Sequence, residues 1–196
     1  MNTLILEQTE HGPIPIDIFT RLASDRILFI HGRIDEQMAA DIAATLLLQD
    51  FNDTTQKISV FLNSEGGDIR SVLSIYDMMR LLQSPVEVIG IGSIMNEAVL
   101  LLAAGSKGLR FATANAEIAP SQLAHEYHQY SDLIDAKAEL KRFQNDNQMF
   151  IEALAKCAGK DAEQVRNDFE RQKFMTSSQA KAYGLIDHVL HGKRNK

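Results

Sequence analysis

The sequence has no tryptophan, one cysteine, four prolines and no long hydrophobic run. The single cysteine, Cys157, has no partner for an intramolecular disulfide and no second sulfur for a metal site, which fits a reducing compartment. The longest apolar run, residues 98–104, is far shorter than the roughly 18 residues that a membrane-spanning helix needs. The N-terminus also lacks the basic region of a signal peptide. These absences predict a cytoplasmic protein with no membrane partner.

Positive charge is scarce as well. The chain has 20 lysines and arginines against 26 acidic residues, a formal net charge of −6. Its only basic cluster is a short tail formed by Lys193, Arg194 and Lys196. A surface that binds nucleic acid needs a larger basic patch, so we predict no nucleic-acid partner.

The remaining composition is that of an ordinary globular chain. With 196 residues, 45% of them hydrophobic, the chain can bury one sizeable core. We predict one domain, residues 1–196, in which Pro13 and Pro15 separate an N-terminal arm, residues 1–16, from the first strand. Strand-like and helical segments then alternate, which predicts an α/β fold of βαβ units around a buried sheet. The predicted elements are strands at 27–31, 58–63 and 86–92 and helices at about 36–49, 69–83 and 97–104.

The second half of the chain is more helical. The predicted elements are strand-like segments at 109–113 and 117–119, a helix at about 131–157, two shorter helices and a strand at 186–190. Gly159 is suited to a left-handed C-cap, Gly184 ends the last helix, and the pairs Asp161/Gln164 and Thr176/Gln179 are suited to capping boxes. A long helix this late in an α/β chain predicts a segment that packs on a neighbouring subunit. The alternative is a helix folded back on its own domain.

Two successive strand-to-helix turns carry the chemical signal: FLNSEGGDIR at 61–70 and IGIGSIMNEAVLLLAAG at 89–105. They look like the oxyanion loop and the nucleophile turn of a peptidase. The glycine pair of the first turn can expose backbone N–H groups toward a carbonyl oxygen, although such a pair also makes ordinary tight turns. The second turn offers Asn96, whose amide has no proton that a base can remove to make an attacking oxygen.

Neither a cofactor nor a metal site is predicted. Gly90 and Gly92 lack the third glycine of a dinucleotide-binding fingerprint, because Met95 stands at that position. The histidines His125 and His128 do not have the H-E-x-x-H spacing of a zinc site.

Longer stretches of sequence point to one family. They are LEQT (6–9), DIFTRL (17–22), NSEGG (63–67), SIYDMM (74–79), LLLAAGSKGLRF (100–111) and FMTSSQAKAYGLIDHVL (174–190). On these stretches the chain resembles the proteolytic subunit of the ATP-dependent Clp protease, the ClpP family. The resemblance implies a ClpP/crotonase-type fold of repeated βαβ units with a protruding long helix, and a serine-peptidase ancestry. It also implies assembly into two stacked seven-membered rings around a chamber.

The resemblance further implies the site residues. The family's nucleophilic serine falls on Asn96, its base histidine on Ser121 and its aspartate on Gln172. All three triad positions are thus replaced, and we predict an inactive triad. The oxyanion-hole positions fall on Gly67 and Glu97. Their backbone N–H groups can remain, but the Glu97 carboxylate would oppose a developing oxyanion if it turned inward.

The first functional hypothesis is a non-catalytic ClpP-like subunit of a Clp protease-type ring complex, with a structural or regulatory role in protein degradation. Such a subunit forms a homo-oligomer or mixed rings with an active ClpP paralogue. An AAA+ unfoldase is a further partner that this hypothesis allows.

The second hypothesis is an enzyme. One form is an active ATP-dependent serine-type peptidase subunit with a displaced nucleophile, Ser93 or Ser121. Its base would be His125 or His128, and Asp168 stands one helical turn before the vacated aspartate position. Another form is a crotonase-like activity that uses Glu97 as a base, although no coenzyme A site is visible in the sequence.

Overall fold

A computed structural model describes residues 4–9, 12–121, 133–170 and 173–192 of the chain. The helices are α1 (Ile18–Ser24), α2 (Glu36–Asn52), α3 (Ile69–Leu81), α4 (Ala98–Ala104), α5 (Leu133–Ala158), α6 (Ala162–Asp168) and α7 (Ser177–Tyr183). The strands are β1 (Leu4–Thr9), β2 (Gly12–Asp17), β3 (Ile27–Ile34), β4 (Ile58–Gly67), β5 (Val86–Met95), β6 (Arg110–Thr113), β7 (Glu117–Ala119), β8 (Met175–Thr176) and β9 (His188–Leu190). Their alternation from β3 onward confirms the predicted α/β class.

The central sheet is mostly parallel. Strands β3, β4, β5, β6 and β9 lie side by side in that order, and each neighbouring pair is parallel. Strand β7 extends the sheet by pairing parallel with β5 and antiparallel with β8. Because parallel neighbours end on the same side, the carboxyl ends of β3, β4 and β5 meet at one edge of the sheet.

Helix α4 lies at the centre of the core. All seven of its residues are buried, which agrees with its sequence AVLLLAA, apolar on every face. It begins three residues after β5, whose first five residues are also buried. The short turn between β5 and α4 is therefore held between two buried elements.

Helix α3 begins directly after β4. The Asp68 carboxylate accepts from the Ser71 N–H (2.8 Å), which caps the first turn. The predicted apolar stripe packs into the core, with Val72, Tyr76 and Met79 buried. Ile75, which the predicted stripe left out, is buried too.

The N-terminal region differs most from the prediction. The predicted arm forms an antiparallel hairpin of β1 and β2, followed by helix α1. The Asp17 carboxylate caps α1 by accepting from the N–H groups of Phe19 (3.0 Å) and Thr20 (3.2 Å). This helix of seven residues was not predicted from the sequence.

The long helix α5 has two unlike halves. In the second half Phe150, Ile151 and Leu154 are fully buried against the core. In the first half Ile134 and Leu140 are exposed. None of the described helices is both long and apolar enough to cross a membrane.

Candidate functional site

A cavity of about 580 Å³ opens where the carboxyl ends of β3, β4 and β5 meet. Residues 32–33, 63–67, 93, 96 and 97 line it. Both turns singled out in the sequence therefore contribute to one concave surface, and three of the five predicted site residues lie on it.

Backbone packing at the end of β4 requires the glycine pair. Gly67 lies so close to β3 that a Cβ atom there would collide with the carbonyl oxygen of Ile34. Gly66 has a φ of 102°, a region that favours glycine. The Ser64 hydroxyl fixes this end by donating to the Gly32 carbonyl oxygen (2.6 Å) and accepting from the Gly66 N–H (3.1 Å). The pair thus has a structural role whatever else it does.

Asn96 occupies the tip of the turn between β5 and α4. Its φ of 49° lies in the left-handed region, which asparagine tolerates better than most residues. Its N–H donates to the Ala119 carbonyl oxygen (2.9 Å), which ties the turn to β7. Its side-chain amide donates from Nδ2 to the Glu65 carbonyl oxygen (2.8 Å) and so bridges the turn to the end of β4.

Ser121 lies next to Asn96. The Ser121 hydroxyl donates its proton to Oδ1 of Asn96 at 2.7 Å. The fold therefore brings together two residues that are 25 positions apart in sequence and that were predicted to occupy the nucleophile and base positions. A hydroxyl and an amide in contact provide neither an activated nucleophile nor a base.

The Glu97 carboxylate points toward Gly67. The Gly67 N–H donates to Oε2 of Glu97 at 3.2 Å, and the backbone N–H of Glu97 itself lies close enough to favour the charged carboxylate. Burial raises the pKa of the Glu97 carboxyl, while these two N–H groups and the charge of Arg33 oppose that rise. The Gly67 N–H, predicted to supply one donor of an oxyanion hole, therefore binds a carboxylate of the chain itself.

Other residues considered as catalytic groups fall elsewhere. Gln172, His125 and His128 lie outside the described residues. Asp168 accepts from the Tyr183 hydroxyl (2.8 Å) on the α6–α7 side of the fold. Of the histidines within the described ranges, none lines the cavity.

Two cavity residues escaped the sequence analysis. Asn63 within β4 accepts from the Ser93 N–H with its Oδ1 (3.1 Å), which links β4 to β5. Arg33 at the end of β3 places a positive charge near Glu97. Both lie at or just beyond the end of a predicted strand of a parallel sheet, so the tendency of such sheets to bind ligands at their carboxyl edge could have identified them.

Within the described ranges, no group of three or more His, Cys, Asp or Glu side chains is placed to hold a metal ion. The polar groups of the cavity are backbone N–H groups, amides and hydroxyls, with the carboxylates of Glu65 and Glu97 and one guanidinium.

Residues 10–193 match the protein-family model described as Clp protease. The chain belongs to this family. The match includes β3 to β5, both turns of the candidate site and the long helix α5, and it confirms the family resemblance and the fold class inferred from the sequence. Membership in the Clp protease family supports a Clp protease-type subunit and suggests assembly into an oligomeric ring.

Proposed function

We propose that this chain is a non-catalytic subunit of a Clp protease-type ring complex, with a structural or regulatory role in protein degradation. The observation that carries the proposal is the contact between Asn96 and Ser121. At the turn where a serine peptidase of this family needs an ionisable nucleophile and a histidine, the chain has an amide oxygen that accepts a hydrogen bond from a serine hydroxyl.

The assembly belongs to the same proposal. Family membership favours rings, and we propose two stacked seven-membered rings in the cytoplasm, formed by this chain alone or mixed with an active ClpP paralogue. In mixed rings the chain would contribute subunit contacts and a docking surface for an AAA+ unfoldase without cutting peptides. Asn96, Ser121 and Gln172 are then the vacated triad positions, and Gly67 and Glu97 the oxyanion-hole-like positions.

An active peptidase with a displaced nucleophile is the competing function. Of the two candidate nucleophiles, Ser93 lines the cavity, and the hydroxyl of Ser121 lies beside the cavity turn. However, its proton is directed to an amide oxygen, which is far too weak a base to activate it. A crotonase-like use of Glu97 as a base meets another objection, because that carboxylate occupies the Gly67 N–H group that would hold a substrate oxygen.

The test compares the natural chain with the variant Asn96→Ser, Ser121→His, Gln172→Asp. We expect the natural chain to cleave no fluorogenic peptide and to take no label from a serine-directed fluorophosphonate, while native mass spectrometry shows an intact assembly. The triple variant should take the label slowly. The single variant Asn96→Ser is the matched control, and it should remain unlabelled because it has no base.

Cleavage or labelling of the natural chain would overturn the proposal. Ser121→Ala and Ser93→Ala would then identify which hydroxyl reacts. A natural chain that runs as a monomer at micromolar concentration would contradict the ring role.

A further inference from the structure

The side chain of Glu97 fills the place between two backbone donors of the candidate site. Oε2 accepts from the Gly67 N–H at 3.2 Å, and the backbone N–H of Glu97 itself lies near the same carboxylate. These are the donors that would have to receive a carbonyl oxygen during acyl transfer. A carboxyl group of the chain itself is therefore already present there.

The backbone around this carboxylate leaves room for it. A Cβ atom at Gly66 would collide with Oε2 of Glu97 and would lie 3.1 Å from the Cβ of Asn96. Gly67 cannot move away, because it packs against Ile34 of β3. The guanidinium of Arg33 on the same cavity favours the charged form of the carboxyl group. The contact is thus built into the ends of three strands.

We propose that Glu97 is a built-in occupant of the oxyanion hole, and that it blocks acyl transfer independently of the missing triad. The inference rests on the proposed function in one respect, since it takes Gly67 and Glu97 as the oxyanion-hole positions. A substrate oxygen must displace the carboxylate to reach the Gly67 N–H group. The oxyanion formed in the transition state would also face a like charge.

The size of the effect follows from what such donors contribute. Removing a single donor of an oxyanion hole lowers kcat by about 10²–10³-fold. In this chain the Gly67 donor is engaged by Glu97, so restoring serine, histidine and aspartate alone should give a poor enzyme. Glu97→Met keeps the length of the side chain but removes its charge and its acceptor oxygens, which frees the Gly67 N–H group.

The activity test adds Glu97→Met to the triple variant Asn96→Ser, Ser121→His, Gln172→Asp. We expect the second-order rate constant for fluorophosphonate labelling to rise about 100-fold or more over the triple variant. The matched control adds Glu117→Met, the same substitution at an exposed carboxylate of β7 outside the cavity. The control should change the rate by less than about threefold.

A second measurement reports the contact without any activity. Hydrogen exchange followed by mass spectrometry compares the natural chain with the single variants Glu97→Met and Glu117→Met. The peptide that contains Gly67 should lose one protected amide in Glu97→Met and none in Glu117→Met.

Three results would contradict either this proposal or the proposed function. Equal protection of Gly67 in all three chains would overturn the proposal, because the contact would then be absent in solution. Loss of protection without a faster-labelling quadruple variant would overturn it as well, since the carboxylate would occupy the hole without limiting the reaction. Labelling of the natural chain would contradict the proposed function instead, and it would leave the exchange result unaffected.

Discussion

At the scale of single residues, Arg110 carries a charge deep in the fold. Its Nε and Nη2 donate to the two carboxylate oxygens of Asp187, at 2.9 and 2.6 Å. Its Nη1 donates to the carbonyl oxygens of Cys157 (3.0 Å) and Gly184 (2.9 Å). The guanidinium therefore joins β6 to the C-terminal ends of α5 and α7 and to the segment before β9. The Arg110 side chain is only 10% exposed, so the buried guanidinium needs the Asp187 carboxylate as its counter-charge.

Asp187→Asn should destabilise the protein by about 3–5 kcal/mol at neutral pH, because it leaves a buried guanidinium without its counter-charge. Hydrogen bonds from Arg110 hold the pKa of Asp187 below its usual range. The folded-state pKa is lowered, so the stabilisation is present above the unfolded pKa of about 3.9 and is lost as pH falls through the folded value. Denaturant unfolding at fixed protein concentration, from pH 7 to pH 3, measures both effects.

The control for this change is Asp77→Asn on the exposed face of α3, which should alter the free energy of unfolding by less than about 0.5 kcal/mol. If Asp187→Asn also falls within that range, or if its deficit stays constant down to pH 3, the ion pair does not stabilise the fold as argued.

The candidate site shows what a sequence can and cannot specify at this scale. The missing nucleophile at Asn96 could be predicted from the sequence, because an amide cannot serve as a nucleophile in any fold. The contact between Asn96 and Ser121 was reachable only through the family resemblance, since 25 residues separate them. The direction of the Glu97 side chain was not predictable. It depends on space left by Gly66 and on N–H groups that the backbone orients.

At the scale of elements, two helices end in the glycines that the sequence indicated. Gly159 after α5 has a φ of 67°, which confirms the predicted left-handed cap, and Gly184 after α7 is left-handed too, with a φ of 102°. Their surroundings differ. A Cβ atom at Gly184 would lie 2.6 Å from the Ala158 carbonyl oxygen, whereas one at Gly159 would meet nothing within 4 Å.

Gly184→Ala should therefore cost more than Gly159→Ala. Each substitution destabilises the fold by about 1–2 kcal/mol, because alanine is strained in the left-handed conformation. Gly184→Ala must also move the end of α5 or of α7 and disturb the Arg110 contact with the Gly184 carbonyl oxygen, so we expect a total above about 3 kcal/mol. Thermal or denaturant unfolding of the two variants gives the difference. Equal losses would show that the close approach to Ala158 is relaxed without cost.

Element boundaries were readable where local chemistry sets them. The predicted Thr176/Gln179 pair forms a complete capping box at the start of α7, and the Asp161 side chain caps α6. Boundaries set by tertiary pairing were not readable. Strand β4 runs four residues beyond its predicted end, because it keeps pairing with the end of β3 through Gly67. The final strand begins at His188 because the Asp187 N–H donates to the Arg110 carbonyl oxygen.

At the scale of the whole molecule, helix α5 has one half packed in the core and one half exposed to solvent. Its second half is anchored by Phe150, Ile151 and Leu154, and its buried Asp146 pairs with Arg70 of α3. Its first half presents apolar side chains to solvent, with Ile134 at 77% and Leu140 at 53% exposure. Membership in the Clp protease family suggests ring assembly. The exposed apolar side chains in the first half of α5 are suited to contact a neighbouring subunit.

Leu140→Asp should weaken assembly without unfolding the subunit. Burying a leucine side chain contributes about 1.5–3 kcal/mol, and a charge at the same place would also have to lose its water. Each 1.4 kcal/mol is tenfold in an equilibrium constant, so the concentration at which the assembly dissociates should rise tenfold or more.

Asn145→Asp adds the same charge to another exposed face of α5 and should leave assembly unchanged. Native mass spectrometry over a dilution series, with circular dichroism to verify folding, separates the two variants. If both dissociate at the concentration of the natural chain, the first half of α5 is not a subunit contact and the subunits must meet through another surface.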